Sequence, residues 1–197
     1  MHSIIDLDLA PRRIATALLT AAALLGIAPA AAHADAGQCR LSVSEPTVDF
    51  GRSIVARHGE AEADGNGPKL GSRESRLLAT CDGDSRMSIV FRAADAGRDA
   101  LAFGNYGVYT VTVVSARLDG QAVDVGKAAS AGEIPLLSQV QPTLSNGDVV
   151  VPMRGSEIPA GQTLELALRL DAFMRPGVSL SDEAELDDAG YFELIAR

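Results

Sequence analysis

The chain has no tryptophan, three tyrosines and five phenylalanines, so whatever core it builds must rest on aliphatic side chains. Basic residues are also scarce: 17 Lys and Arg face 26 Asp and Glu, a net charge of −9 at pH 7. No basic stripe runs through it, which argues against nucleic acid and anionic membrane surfaces as partners. Only two cysteines and three histidines are present, and no set of three or four ligands has the spacing of a zinc site. There is no Gly-x-Ser-x-Gly elbow and no phosphate-binding glycine loop. His58 stands alone in a Gly/Glu-rich loop and reads as surface decoration, although the members of a catalytic triad need only meet in space. The expectation is a non-enzymatic protein with no metal and no cofactor.

One long apolar run does occur, at the front. Arg12 and Arg13 precede an uncharged small and apolar stretch, Ile14 to Ala32, that closes on Ala32-His33-Ala34. That order of a positive segment, an apolar segment and a small-x-small site is a secretory signal, with cleavage between Ala34 and Asp35. Ala34-Asp35-Ala36 is a second site two residues on. The run of ~19 residues approaches the ~20 needed to span a bilayer. It is Ala-rich, however, contains Gly26 and Pro29, and has no positive flank after it, so a membrane anchor is the weaker reading. The polar and bulky residues that accompany a twin-arginine signal are missing, which favours the general export route. Met1–Ala10, carrying Asp6 and Asp8, is unusual for the leading part of a signal. Residues 1–34 are therefore assigned to the signal and 35–197 to a single domain, which retains the net −9 and has no further stretch of membrane length.

An exported domain meets oxidising conditions, where Cys39 and Cys81 most simply pair; the alternative is two separate buried thiols. The rest of the domain has period-two patterns without long helical stripes. Met87, Ile89 and Phe91 alternate within Arg86–Arg92. Tyr109, Val111 and Val113 share one side of Tyr106–Leu118, with Val108, Thr110, Thr112 and Val114 on the other. Asp119-Gly120 marks a tight hairpin into Ala122–Val125. Val149-Val150-Val151 is a short apolar strand, and a terminal strand runs over Gly190–Arg197. Leu164, Leu166, Leu168 and Leu170 point inward along Thr163–Phe173, with Glu165 and Arg169 outward; helix-favouring composition is outweighed there by strict alternation. Loops are expected at Ala56–Ser75 and Gly126–Gly147, which are also the places to seek a binding surface. Turns are expected at Asp64-Gly65-Asn66-Gly67 and Asp82-Gly83-Asp84, and a solvated acidic turn at Asp182, Glu183, Glu185, Asp187 and Asp188. Many short strands with turn signals predict an all-β antiparallel sandwich.

Several motifs in this order resemble a known family. Cys39-Arg40-Leu41-Ser42-Val43 followed by Val48-Asp49-Phe50-Gly51, then Leu78-Ala79-Thr80-Cys81, is similar to the opening of chaperone–usher fimbrial subunits. Phe103-Gly104-Asn105-Tyr106-Gly107-Val108-Tyr109, Leu118-Asp119-Gly120, Arg175-Pro176-Gly177-Val178-Ser179-Leu180 and Glu185-Leu186-Asp187-Asp188 continue the likeness, closest to the β-fimbrial-like group. The resemblance covers nearly all of Cys39–Arg197 through short motifs. It implies an incomplete immunoglobulin-like sandwich whose missing strand leaves a hydrophobic groove. A periplasmic chaperone would fill the groove first and another pilus subunit later, with an outer-membrane usher as assembly partner. The final strand would form one groove edge, with Phe192, Leu194 and Ala196 alternating along one face. The expected destination is the periplasm in transit, then the fimbrium at the cell surface, where a host or surface receptor is a further partner.

Two features depart from the family pattern. Its usual penultimate tyrosine is replaced by Ala196. Cleavage after Ala34 also leaves only Asp35–Gln38 ahead of Cys39, a reach of ~13 Å at ~3.3 Å per residue. That is too short for a donor strand and points to a tip position, where a subunit accepts a strand without giving one. The alternative is a self-contained secreted β-sandwich that binds a partner without polymerising.

Overall fold

Alternating apolar residues can bury one face of an extended chain, and this sequence repeats that pattern often enough to build two layers. A computed structural model describes residues 3–9, 38–51, 67–97, 100–175 and 186–197. Its strands are β1 (Ser3–Leu9), β2 (Cys39–Val43), β3 (Thr47–Asp49), β4 (Lys69–Ser85), β5 (Met87–Ala93), β6 (Asp95–Gly97) and β7 (Ala100–Phe103). They continue as β8 (Gly107–Leu118), β9 (Gln121–Ala128), β10 (Ser138–Gln139), β11 (Thr143–Leu144), β12 (Val149–Met153), β13 (Gly161–Met174) and β14 (Leu186–Ala196). No helix occurs among the described residues. The fold is an all-β, largely antiparallel sandwich, as the patterning predicts.

The first layer has the order β2-β4-β13-β8, with β7, β11 and the start of β9 meeting the far side of β8 in turn. The second has the order β9-β12-β5-β14-β1-β3, and β10 lies on the outer side of β9. Strand β9 joins them: Gln121–Val123 pairs with β8, and Asp124–Ala128 pairs with β12. The four β13 leucines, at most 1% exposed, face Met87, Ile89, Phe91 and Val150 across the main core. Val150 enters that core while Val149 and Val151 join a smaller cluster with Val90, Ala128 and Met153 on the opposite face, so β12 is buried on both sides.

Tyr109, Val111 and Val113 share one side of β8, as their alternation predicts, and that side faces the core. A bulge then intervenes, with Ala167 pairing with Ser115 and Leu168 with Val113. The core positions beyond it become Ala116 and Leu118. The Asp119-Gly120 turn has positive φ at both central residues, 50° and 77°, as a two-residue hairpin of primed type requires. Asp119 also accepts hydrogen bonds at Oδ1 from the backbone N–H groups of Gln162 and Thr163, at 2.9 and 2.8 Å. The turn thereby fixes the start of β13.

Parts of four expected loops and turns are strand instead; in the acidic run, Asp187 and Asp188 lie in β14. Lys69–Ser75 lies within β4, paired antiparallel with Leu168–Phe173 of β13 across a register shift between Ala172 and Phe173. Its polar composition hid the strand, because main-chain pairing does not require apolar side chains on an exposed face. Polar side chains support it: Lys69 and Arg169 reach the Asp171 carboxylate at 2.9 and 3.1 Å. Burial pushes that carboxyl up, but hydrogen bonds from Ser72 and Lys69 and the Lys69 and Arg169 charges bring it below its ordinary value. Asp82-Gly83-Asp84 likewise continues β4, and Gly126–Ala128 completes β9 beside β12. The predicted turn at residues 64–67 falls almost entirely outside the described residues, as do Ala34, Asp35 and His58.

Cys39 and Cys81 form a disulfide between directly opposed positions of β2 and β4, 42 residues apart in sequence. Replacing both with alanine should lower the unfolding free energy by about 4 kcal/mol in a denaturant titration; a loss below ~1 kcal/mol would mean that packing alone retains β2. Asp119→Ala, which deletes two charge-assisted hydrogen bonds at a left-handed residue, should cost about 2–3 kcal/mol in the same assay.

Candidate functional site

Leu186, Gly190 and Phe192 are buried along β14, while Asp187, Ala189 and Tyr191 are exposed. The strand is shared unevenly by its neighbours. Gly190–Ala196 pairs antiparallel with β5, whereas Leu186–Phe192 pairs parallel with β1 on the other side. Leu186–Ala189 thus has no strand partner other than β1 among the described residues. Strand β3 in turn pairs antiparallel with β1 through Thr47, Val48 and Asp49. Removing β1 leaves a slot two strand spacings wide, about 9.6 Å, between the β14 and β3 backbones.

The register defines what this slot holds. Ile5, Leu7 and Leu9 are the partners of Asp188, Gly190 and Phe192, and Asp6 and Asp8 are the partners of Ala189 and Tyr191. Apolar positions of β1 therefore coincide with the core-facing register of β14. Beneath the slot lies most of the protein's aromatic complement. Phe91 and Phe192 pack at 4.9 Å on the β14 side. Phe50, immediately after β3, meets Phe103 at 5.9 Å, and Phe103 meets Tyr109 edge-on at 6.1 Å. Such pairs add roughly 0.5–1.5 kcal/mol beyond area burial.

At its centre, Gly190 opens a specific space. A Cβ on this residue would stand 3.2 Å from the Tyr109 hydroxyl and 3.4 Å from the Phe91 ring. Tyr109 is completely buried, and its hydroxyl has no hydrogen-bond partner. Burial pushes the phenol far above its ordinary pKa, and the nearby Asp188 carboxylate adds to the effect, so the group remains a neutral hydroxyl.

The sequence-predicted groove edge is placed as follows. Phe192 is buried, and Leu194 and Ala196 pack half-buried against the same core, so the three do share a face. Only Phe192 lies in the stretch paired with β1; Leu194 and Ala196 pair with Ile89 and Met87 of β5. The slot wall extends instead toward Leu186. Gly190 within a strand was the available signal, since an interior glycine marks a close approach by another group. Cys39–Cys81 lies in the other layer, yet it fixes β2 just before the chain crosses to β3, and so anchors the second wall.

A second surface feature is the connection between β9 and β12. Ile134, Leu136, Leu137 and Val140 are exposed there, Leu136 and Val140 almost fully. Lys127 pairs with Asp148 at 2.8 Å, and Asp148 accepts a hydrogen bond from the Ser145 N–H, bracing the base of this connection. No group of three or more His, Cys, Asp and Glu is arranged to hold a metal among the described residues, and no helix there is long and apolar enough to cross a membrane.

Gly190→Val should overfill the space above Tyr109 and lower stability by about 1–3 kcal/mol, measured by thermal or denaturant unfolding. Asp187→Ala, at the exposed neighbouring register, should change it by less than about 0.5 kcal/mol. Equal effects would show that the Gly190 space is unimportant to packing.

No protein-family model matches this chain, and no curated protein matches it, so the geometry of the slot carries the functional reading.

Proposed function

We propose that the processed chain is an exported fimbrial subunit, structural or adhesive, that accepts a β-strand from a partner between β14 and β3. One observation carries the proposal: the strand that fills this position comes from upstream of Arg12, Arg13 and the apolar run Ile14–Ala32. Cleavage between Ala34 and Asp35 would remove it. Before cleavage, a positively charged leader stays on the cytoplasmic side while the domain crosses the membrane. On this reading β1 and the exported domain are separated by the bilayer, and β1 marks the position of a strand that another chain supplies.

The vacated slot would expose unpaired main-chain groups along Leu186–Ala189 beside an apolar core, a surface prone to edge-to-edge association. Strand addition satisfies both needs, through main-chain hydrogen bonds and side chains seated at alternate positions. A periplasmic chaperone fits the first occupant and a pilus subunit delivered at the outer-membrane usher fits the second. The four residues ahead of Cys39 after cleavage are too few to reciprocate, which supports a tip position. A second reading, the self-contained secreted binding sandwich, is favoured by β1 itself, because the uncleaved chain fills its own slot. The exposed apolar connection between β9 and β12 would serve as its contact surface.

Expression of Asp35–Arg197 with and without a peptide spanning Ser3–Leu9 separates the readings. The acceptor reading predicts a folded domain of low stability alone, and a Tm rise of about 5–10 °C with peptide at ~100-fold its Kd. A stable monomer whose Tm ignores the peptide would contradict it and favour the self-contained sandwich.

A further inference from the structure

The buried Tyr109 hydroxyl is not used by the fold. Its ring belongs to the aromatic cluster, but its oxygen has no hydrogen-bond partner and lies under Gly190 of β14. A hydroxyl in such a place is disfavoured relative to a phenylalanine unless something satisfies it. Gly190 supplies no side chain, and the backbone of β14 is committed to β5 and the slot strand at this level. The Arg92 carbonyl and the Asp188 carboxylate lie nearby, yet neither bonds the hydroxyl, which leaves the slot beside Gly190 as the side from which a partner can come. Side chains at the same level on adjacent strands stand about 5 Å apart, so a short polar side chain opposite Gly190 comes within reach of the phenol. In β1 that position is Leu7, a residue with no hydrogen-bonding side-chain atom.

We infer that the strand accepted by this slot carries serine, threonine or asparagine opposite Gly190, hydrogen-bonded to the buried Tyr109 hydroxyl, with apolar residues at the positions two before and two after. The inference rests on the strand-acceptor reading and sharpens it from a generic apolar strand to one with a defined polar position. Raised by burial and by Asp188, the phenol's pKa keeps the hydroxyl protonated, able both to donate and to accept. A hydroxyl or amide partner therefore needs no particular orientation in advance. The same side chain two residues away would sit opposite Asp188 or Phe192, beyond the space that Gly190 leaves open.

A double-mutant cycle in the full chain, where β1 occupies the slot, tests the contact. Leu7→Thr, Tyr109→Phe and the pair are compared by denaturant unfolding, with Ile5→Thr as the register control. Leu7→Thr removes apolar side-chain atoms and so changes stability by itself, which is why the quantity read is the coupling between the two sites. A coupling of about 5- to 10-fold in the unfolding equilibrium is expected for Leu7→Thr with Tyr109→Phe, and less than 2-fold for Ile5→Thr. Coupling below 2-fold at Leu7, or equal coupling at both positions, overturns the inference.

A second arm separates this result from failure of the acceptor reading. Asp35–Arg197 is titrated with the Ser3–Leu9 peptide and its Leu7→Thr version, each against the unmodified domain and the Tyr109→Phe domain. The same 5- to 10-fold coupling is expected in trans. If neither peptide binds, the acceptor reading fails and this inference falls with it. If both bind without coupling, only the polar position is lost.

Discussion

Main-chain hydrogen bonding along Leu186–Ala189 is the constraint around which this sandwich is organised. On one side β14 does not meet β5 until Gly190; on the other, a strand must lie between it and β3 for the layer to close. Every other feature near that gap serves its two walls. Phe192 and Phe91 support one, and Phe50 and Phe103 support the other. The disulfide holds β2 against β4 a few residues before the chain turns into β3. Without the intervening strand the space between β14 and β3 would be open, an arrangement that suits acceptance of a strand.

Much of the scaffold was legible from alternation. Strands β5, β8, β12 and β13 appear where apolar residues recur every second position, and Asp119-Gly120 forms the hairpin that its φ-tolerant residues favour. The Cys39–Cys81 bridge follows from having two cysteines in a chain that reads as exported. The elements that alternation does not mark lack an apolar signature. Lys69–Ser75 is strand because β13 offers a continuous antiparallel edge, and its polar face is held by ion pairing around Asp171. The bulge in β8 shifts the core side from Val113 to Ala116, and no residue pattern announces it.

The site was legible in part. Strand β14 pairs with β1 over Leu186–Phe192, a stretch that includes Phe192 but not Leu194 and Ala196. The reason is stagger: β5 and β1 meet β14 over different lengths, a relation between three distant segments that local sequence does not encode. That Ser3–Leu9 fits the slot was equally hidden. Its alternation of Ile5, Leu7 and Leu9 with Asp6 and Asp8 is strand-like, yet it precedes a signal-like run and was assigned with it. That Tyr109 shares a strand face with Val111 and Val113 was legible, whereas its burial and its unsatisfied hydroxyl beneath Gly190 are properties of packing alone.

Hydrogen exchange at individual amides of Asp35–Arg197 tests the strand-acceptor account most directly. Without an added strand, the amides of Asp187, Asp188 and Ala189 should exchange rapidly while those of β13 remain protected. Adding the Ser3–Leu9 peptide should slow exchange at the β14 positions by at least about 10-fold, with little change in β13. Strong protection of Asp187–Ala189 in the processed chain alone would contradict the account, because it would mean that the layer is already closed.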